Sequence, residues 1–294
     1  MMDIKNKAPF VAGLTAVMLA IVKLIIGLFS GSVSVIASAI DSILDAIVSA
    51  ANYIVVSKSD QEPDGKFNYG YAKLEAIMSF LEGFFIAGIG SFIVYSGAMK
   101  IINPQGPIKL NIALYVMIFS FIVTGFLIVY LTKIYKKTNS LIIKTDILHY
   151  KSDFFSNLAI IAGLVVVYFT GWHIVDSIFG IAIGLYIMYG ALGLIKESGY
   201  ILIDGAVDED IVLDIKEFIN SNSKIRDFHD FKTRKCVNKC YLSIHLVFDR
   251  DILLFDAHEI GDSVEKYITE KYNQYEWDIN LHFDPYDDSK IENI

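Results

Sequence analysis

Six apolar runs, at about residues 9–29, 33–56, 76–99, 110–132, 143–169 and 174–195, occupy the first two thirds of this chain. A hydrocarbon layer about 30 Å thick takes about 20 apolar residues to cross as a helix, because backbone polar groups inside it must be satisfied within the segment. Each run is of that order, so the pattern predicts six transmembrane helices. The composition agrees: 54% hydrophobic residues and a mean hydropathy of +0.49 exceed what an ordinary soluble domain of 294 residues carries. The first run is long and is followed by GLFSGSVS without a convincing small-x-small cleavage site, so it is expected to remain as a span rather than be removed as a signal peptide.

Charge divides the chain at about the same place. From Asp204 onward there are 21 acidic residues against 11 basic, whereas residues 1–203 carry 12 against 14. An acidic tail argues against nucleic acid or anionic lipid as its partner and suits cations. In the loops, Lys5, Lys7, Lys58, Lys66, Lys73, Lys133, Lys136, Lys137 and Lys144 fall on one side of the bundle and Lys100 and Lys109 on the other. That asymmetry predicts that both termini are cytoplasmic. Cys236 and Cys240 then face a reducing compartment, where two free thiols beside a hairpin turn are favoured over a disulfide, and CxxxC lacks common zinc-knuckle spacing.

The tail has the periodicities of a small α+β domain. DEDIVLDIKEFINS is helical, IRDFHDFKTRK and CYLSIHLVFDR alternate as strands about a polar turn, DAHEIGDSVEKYITEKY is helical, and WDINLHFDP alternates again. The expected organisation is therefore a transmembrane domain over 1–203 and an α-β-β-α-β domain over 204–294, with a ferredoxin- or metallochaperone-like arrangement. A core of this size is marginal, and dimerisation or bound metal would help it.

Charged residues inside the spans carry the chemistry. The second run contains ASAIDSILDAIVSA, with Asp41 and Asp45 four apart; the fifth contains DILHYKSDFFSN, with His149 and Asp153 four apart. On a helix that spacing puts both members of a pair on one face. A charge at the centre of a span costs about 2.5–3.5 kcal/mol even on lenient insertion scales, so such groups call for compensation. Three carboxylates and an imidazole suit a tetrahedral first-row divalent ion, zinc above all, and with no thiolate the site should release as well as bind. The alternative is that these residues line a wet cavity or pair with lysines such as Lys23 and Lys151. Asp146 shares the face of His149 less closely, with either a supporting or an interfacial role, and Glu82 in the third run has no evident role.

Asp-x-x-x-Asp in the second run, His-x-x-x-Asp in the fifth, six spans and the α-β-β-α-β tail together resemble the cation diffusion facilitator family, close to its bacterial YiiP-like exporters of zinc and other divalent cations. DILHYKSDFFSN, GYAKLEA (70–76) and ILIDGAVDEDI (201–211) look like family landmarks. The resemblance implies a transport site at Asp41, Asp45, His149 and Asp153. It further implies two metal ions in the tail, held by His229, His245, His258 and His282 with Asp284 as the bridge, although Phe283 stands where relatives carry a polar residue. A loop site of an aspartate and two histidines is expected to be absent or much weakened here, since Asp64 is retained but Phe67 and Tyr71 replace the histidines. Lys73 and Asp204 match a charge interlock between the membrane domain and the tail near a dimer interface.

The resemblance thus implies a homodimeric antiporter, not an enzyme, in a bacterial or archaeal cell membrane, exchanging zinc for protons. Iron(II), cobalt, cadmium or manganese are alternative cargoes, histidine disfavouring manganese. An intramembrane metal-dependent hydrolase would use the same quartet but lacks an obvious general base beside an open three-ligand site. A metal sensor that moves no ions shares every motif. The His258-Glu259 pair is no HExxH motif, because Asp262 stands where the second histidine is needed.

Overall fold

The structure, a computed structural model, describes residues 4–30, 33–102, 113–170 and 174–287, except for the side chains of residues 30, 33, 34, 37, 100, 113, 114, 159–170 and 174–176. The chain divides into two compact units, Met1–Gly199 and Tyr200–Ile294. The first holds the long helices α1 (Ile4–Ser30), α2 (Val33–Ser59), α3 (Lys73–Ile102), α4 (Ala113–Thr138), α5 (Leu141–Thr170) and α6 (Ile174–Leu202). α1, α2, α3, α5 and α6 each contain one of the apolar runs, and α4 covers the run at 110–132 from Ala113 on and continues to Thr138, residues 110–112 lying outside the described residues. Among the described residues, α1, α2, α3, α4 and α6 contain stretches long and apolar enough to cross a membrane. The first half of α5 is set apart by Lys144, Asp146, His149, Lys151 and Asp153.

The helices are sorted by side-chain size. On α1, Ala8, Ala12, Ala16 and Ala20 are buried at fourfold spacing while Phe10, Leu14, Ile21 and Leu28 are exposed. Small residues inward and bulky apolar residues outward is the pattern of helices that pack closely and face lipid. α3 and α6 meet at Gly90 and Gly184, where a Cβ on Gly90 would lie 3.0 Å from the Gly184 carbonyl oxygen.

One end of the bundle is tied by a buried carboxylate. Glu75, 1% exposed at the start of α3, accepts from Ser59 Oγ at the end of α2 at 3.0 Å and from Ser140 Oγ, just before α5, at 2.7 Å. Lys5 Nζ at the start of α1 lies 2.5 Å from Glu75 Oε1 and 2.6 Å from Asp60 Oδ1. The start of α1, the end of α2, the start of α3 and the start of α5 therefore share this end.

In the second unit, α7 (Glu209–Ser221), β1 (Asp227–Cys236), β2 (Lys239–Val247), α8 (Leu254–Lys271) and β3 (Glu276–Asp284) follow the α-β-β-α-β order expected from the periodicities. The sheet order is β1-β2-β3, with β1 antiparallel and β3 parallel to the central β2. A parallel neighbour requires a crossover, which α8 provides. Cys240, Leu242, Ile244 and Leu246 of β2 point into a core with Ile211, Ile215 and Ile219 of α7 and Ile260, Val264 and Ile268 of α8. Both helices thus cover one face of the sheet, and the alternate residues of β2, including His245, lie on the other. A bulge between His229 and Lys232, with Asp230 at φ +51°, lets Phe228 and Phe231 both pack against the core while His229 keeps its place opposite His245.

Candidate metal centres

α2 and α5 bring three of the four intramembrane residues together. His149 Nε2 is 2.9 Å from Asp45 Oδ1 and 3.8 Å from Asp153 Oδ2. One ligand atom from each of Asp45, His149 and Asp153 lies within 4.8 Å of the other two. Asp41 is exposed, one helical turn before Asp45, and is not in this trio. Lys23 is 9% exposed and donates to Ser42 Oγ at 2.8 Å, and it lies within electrostatic reach of Asp41, Asp45 and Asp153. An ammonium thus offsets part of the negative charge here. The adjoining Tyr150 hydroxyl and Ser49 Oγ are 3.2 Å apart across the same helix pair.

The second cluster is a row across the tail sheet. His229 pairs with His245 between β1 and β2, and His245 with His282 between β2 and β3. Their rings stand 4.8 and 4.5 Å apart, centroid to centroid. Asp284, two residues beyond His282 and so on the same face, is 6% exposed and is the hub. Its Oδ2 is 2.8 Å from His245 Nδ1 and 3.3 Å from His229 Nε2, and its Oδ1 is 3.1 Å from His282 Nε2. Ligand atoms of His229, His245 and Asp284 lie within 4.8 Å of one another.

The remaining expected site residues are placed otherwise. His258 is on the exposed side of α8, its Nε2 3.7 Å from Asp262 Oδ1 one turn on. Asp64 organises its own loop: Oδ1 accepts the backbone N–H of Lys66 and of Phe67, each at 2.8 Å, and Oδ2 accepts the Tyr71 hydroxyl at 2.5 Å. The Tyr71 hydroxyl, with the two backbone donors, holds the Asp64 carboxyl below its ordinary range, and Tyr71 is raised in turn. With both oxygens occupied, and rings at Phe67 and Tyr71 4.9 Å apart where imidazoles would be needed, this loop is built as a turn. Asp204 is 3.3 Å from Arg234 Nη1 within the tail unit, and Lys73 is the first residue of α3. Cys236 and Cys240 are buried free thiols flanking the β1–β2 turn, and burial pushes the Cys240 thiol up to about 12.

Other residues in the membrane unit were not singled out by sequence reasoning. Glu75 ties one bundle end, and Asn52, fully buried on α2, donates from Nδ2 to Asp146 Oδ1 at 2.8 Å. The available signal was polarity inside an apolar helix, a weak one for an amide because Asn needs no counter-ion.

Comparison with known proteins bears on both units. Residues 10–203 match the cation efflux transmembrane domain, and residues 207–286 match the cytoplasmic domain of cation efflux proteins. Similar curated proteins include the cation-efflux pump FieF of Klebsiella pneumoniae and of Escherichia fergusonii, each 30% identical over 237 residues, which is 81% of this chain and 78% of the relative. FieF of Shigella boydii has the same identity and coverage. These matches set aside the hydrolase reading, because the family's members are transporters. The chain belongs to the cation efflux, or cation diffusion facilitator, family of membrane transport proteins.

Proposed function

We propose that this protein exports a divalent cation, zinc foremost, in exchange for protons, and that the ion is carried by Asp45, His149 and Asp153 with Asp41 completing the tetrahedron. The observation that carries this reading is the convergence of the three groups, from two different helices, to within 4.8 Å. Carboxylate and imidazole donors must be free of protons to bind metal, so ion entry and proton release are coupled at one place. An imidazole with three carboxylates suits zinc's tetrahedral preference, and iron(II), cobalt and cadmium are the alternative cargoes. In this reading α5 is the sixth span, its polar first half turned to the site instead of lipid. Alternating exposure of the site to the two sides then completes transport.

The tail supports a regulatory role. A metal ion at His229, His245, His282 and Asp284 would replace the contacts that now converge on one carboxylate, and so stiffen the sheet and a homodimer formed through this domain. His258, beside Asp262, is the candidate for a second tail ion. The acidic tail and the lysine asymmetry support cytoplasmic termini in a bacterial or archaeal cell membrane.

The test is transport in sealed proteoliposomes with an imposed pH gradient. Zinc accumulation with matched proton movement is expected for the intact chain, and loss of both for Asp45→Ala and Asp153→Ala. Metal binding without flux in the intact chain would overturn the transport reading and leave a sensor.

A further inference from the structure

Two turns from the trio, toward the Glu75 end of the bundle, lies a second set of buried polar groups. Asn52 is seven residues beyond Asp45 on α2, and Asp146 is seven before Asp153 on α5. Seven residues are about two helical turns, or about 10 Å, so each residue returns to the face its partner occupies in the trio. Glu82 of α3 joins them. Asn52, Asp146 and Glu82 are 0, 3 and 8% exposed. The Asn52 amide donates to Asp146 Oδ1 at 2.8 Å, and Glu82 lies within electrostatic reach of both residues.

Beyond that bond, Asn52 Oδ1, Asp146 Oδ2 and Glu82 Oε1 have no hydrogen-bond partner among the described residues. Buried acceptors are ordinarily satisfied, and each exception calls for an explanation. Two carboxylates this deep also need neutralising charge. The basic group within electrostatic reach of both is His149, already committed to Asp45 and Asp153. Protonation would need one proton on each carboxyl to serve these oxygens. A single dipositive ion between them would balance both carboxylates and give their free oxygens a partner.

We propose that Asn52, Glu82 and Asp146 form a second intramembrane binding site for a divalent cation, a staging site through which cargo passes between the Glu75 end and the trio. The passage rests on the transport reading above; the binding does not. An oxygen-only set lacks the imidazole that favours zinc in the trio, so it holds such an ion more weakly and gives it up to Asp45, His149 and Asp153. The order of affinities sets a direction for loading.

The test uses the full-length chain in detergent with manganese(II), an oxygen-preferring ion whose unbound fraction is read by electron paramagnetic resonance. Asp45→Ala with His245→Ala first weakens the trio and the tail centre. About one manganese ion per chain is expected to remain, and adding Glu82→Gln or Asp146→Asn should weaken it at least about tenfold, since ligand charge sets affinity at oxygen sites. Asn52→Asp in the same background adds an anionic oxygen and should tighten binding about tenfold, which a purely structural amide would not do. If Glu82→Gln and Asp146→Asn fail to fold, Asn52→Asp decides alone. Absence of manganese from the background chain, or affinity unchanged in the variants that fold, overturns the proposal. Flux in proteoliposomes is a separate measurement, so failure of the transport reading would appear there and leave this binding result intact.

Discussion

His149 Nε2 stands 2.9 Å from Asp45 Oδ1, so an imidazole on α5 and a carboxylate on α2 meet at the proposed ion site. A zinc ion holds nitrogen and oxygen ligands at about 2.0–2.2 Å, so it must part this direct contact to enter. Asp45→Asn keeps the shape and removes the charge. Affinity for zinc should fall by at least about tenfold while the chain still elutes as the intact protein does, measured by competition with a zinc-binding dye. Unchanged affinity would remove Asp45 from the site.

Lys23 gives a prediction of opposite sign. Its ammonium is held by Ser42 at 2.8 Å and lies within electrostatic reach of Asp41, Asp45 and Asp153, so it repels an incoming cation. Lys23→Met keeps the stem and removes the charge, and should tighten divalent-ion binding by about three- to tenfold while lowering the stability of the metal-free protein. The same competition assay and a thermal melt read the two effects.

In the tail, Asp284 and His258 separate. Asp284 takes contacts from His229, His245 and His282, whereas His258 meets Asp262 on the far helix. Asp284→Asn should weaken the main tail ion at least about tenfold. His258→Ala should leave that ion unchanged. Metal content of the purified full-length variants, by mass spectrometry after dialysis against limiting zinc, distinguishes them.

Burial of Cys240 predicts an alkaline loss of stability. Its thiol is pushed up to about 12, whereas an unfolded cysteine ionises near about 8.5. Between those values the unfolded chain has released a proton that the folded chain still holds, so the contribution is full below about 8.5 and declines as pH rises toward 12. In a Trp172→Phe background, the denaturant midpoint followed by Trp277 fluorescence should fall from pH 8 to 10.5, and Cys240→Ala should flatten that slope. An identical slope in both chains would show that other groups cause it.

The α3–α6 contact is tested by two glycines on one helix. A Cβ at Gly90 would lie 2.8 Å from Met188 Cγ and 3.0 Å from the Gly184 carbonyl oxygen, whereas among the described residues nothing lies within 4 Å at Gly88. Gly90→Ala should destabilise the protein by about 1–3 kcal/mol, because backbone has to move. Gly88→Ala should not. Thermal melts in one detergent compare them.

The legible features in the sequence were the local ones. Apolar runs and alternation foreshadowed the long helices and the order of the tail, because helix and strand periods repeat within a few residues. Spacing of four put His149 and Asp153 on one face, where they lie 3.8 Å apart, and put Asp41 and Asp45 on one face in the same way, although Asp45 is the one within reach of His149. Two packed helices approach closely at only some turns, and a repeat along one helix does not reveal which turn that is. Among the tail histidines, His229, His245 and His282 are joined by strand register, while His258 looked equivalent in sequence but sits on a helix across the sheet.

By itself the sequence determined which residues face together on each helix or strand, since those periods are set by backbone geometry within a single segment. Only the tertiary structure decided that Asp45 meets His149, that Asp284 gathers three imidazoles, and that Asn52 of α2 donates to Asp146 of α5. Distances between segments depend on how side chains of every size pack between them, and no local repeat encodes that sum.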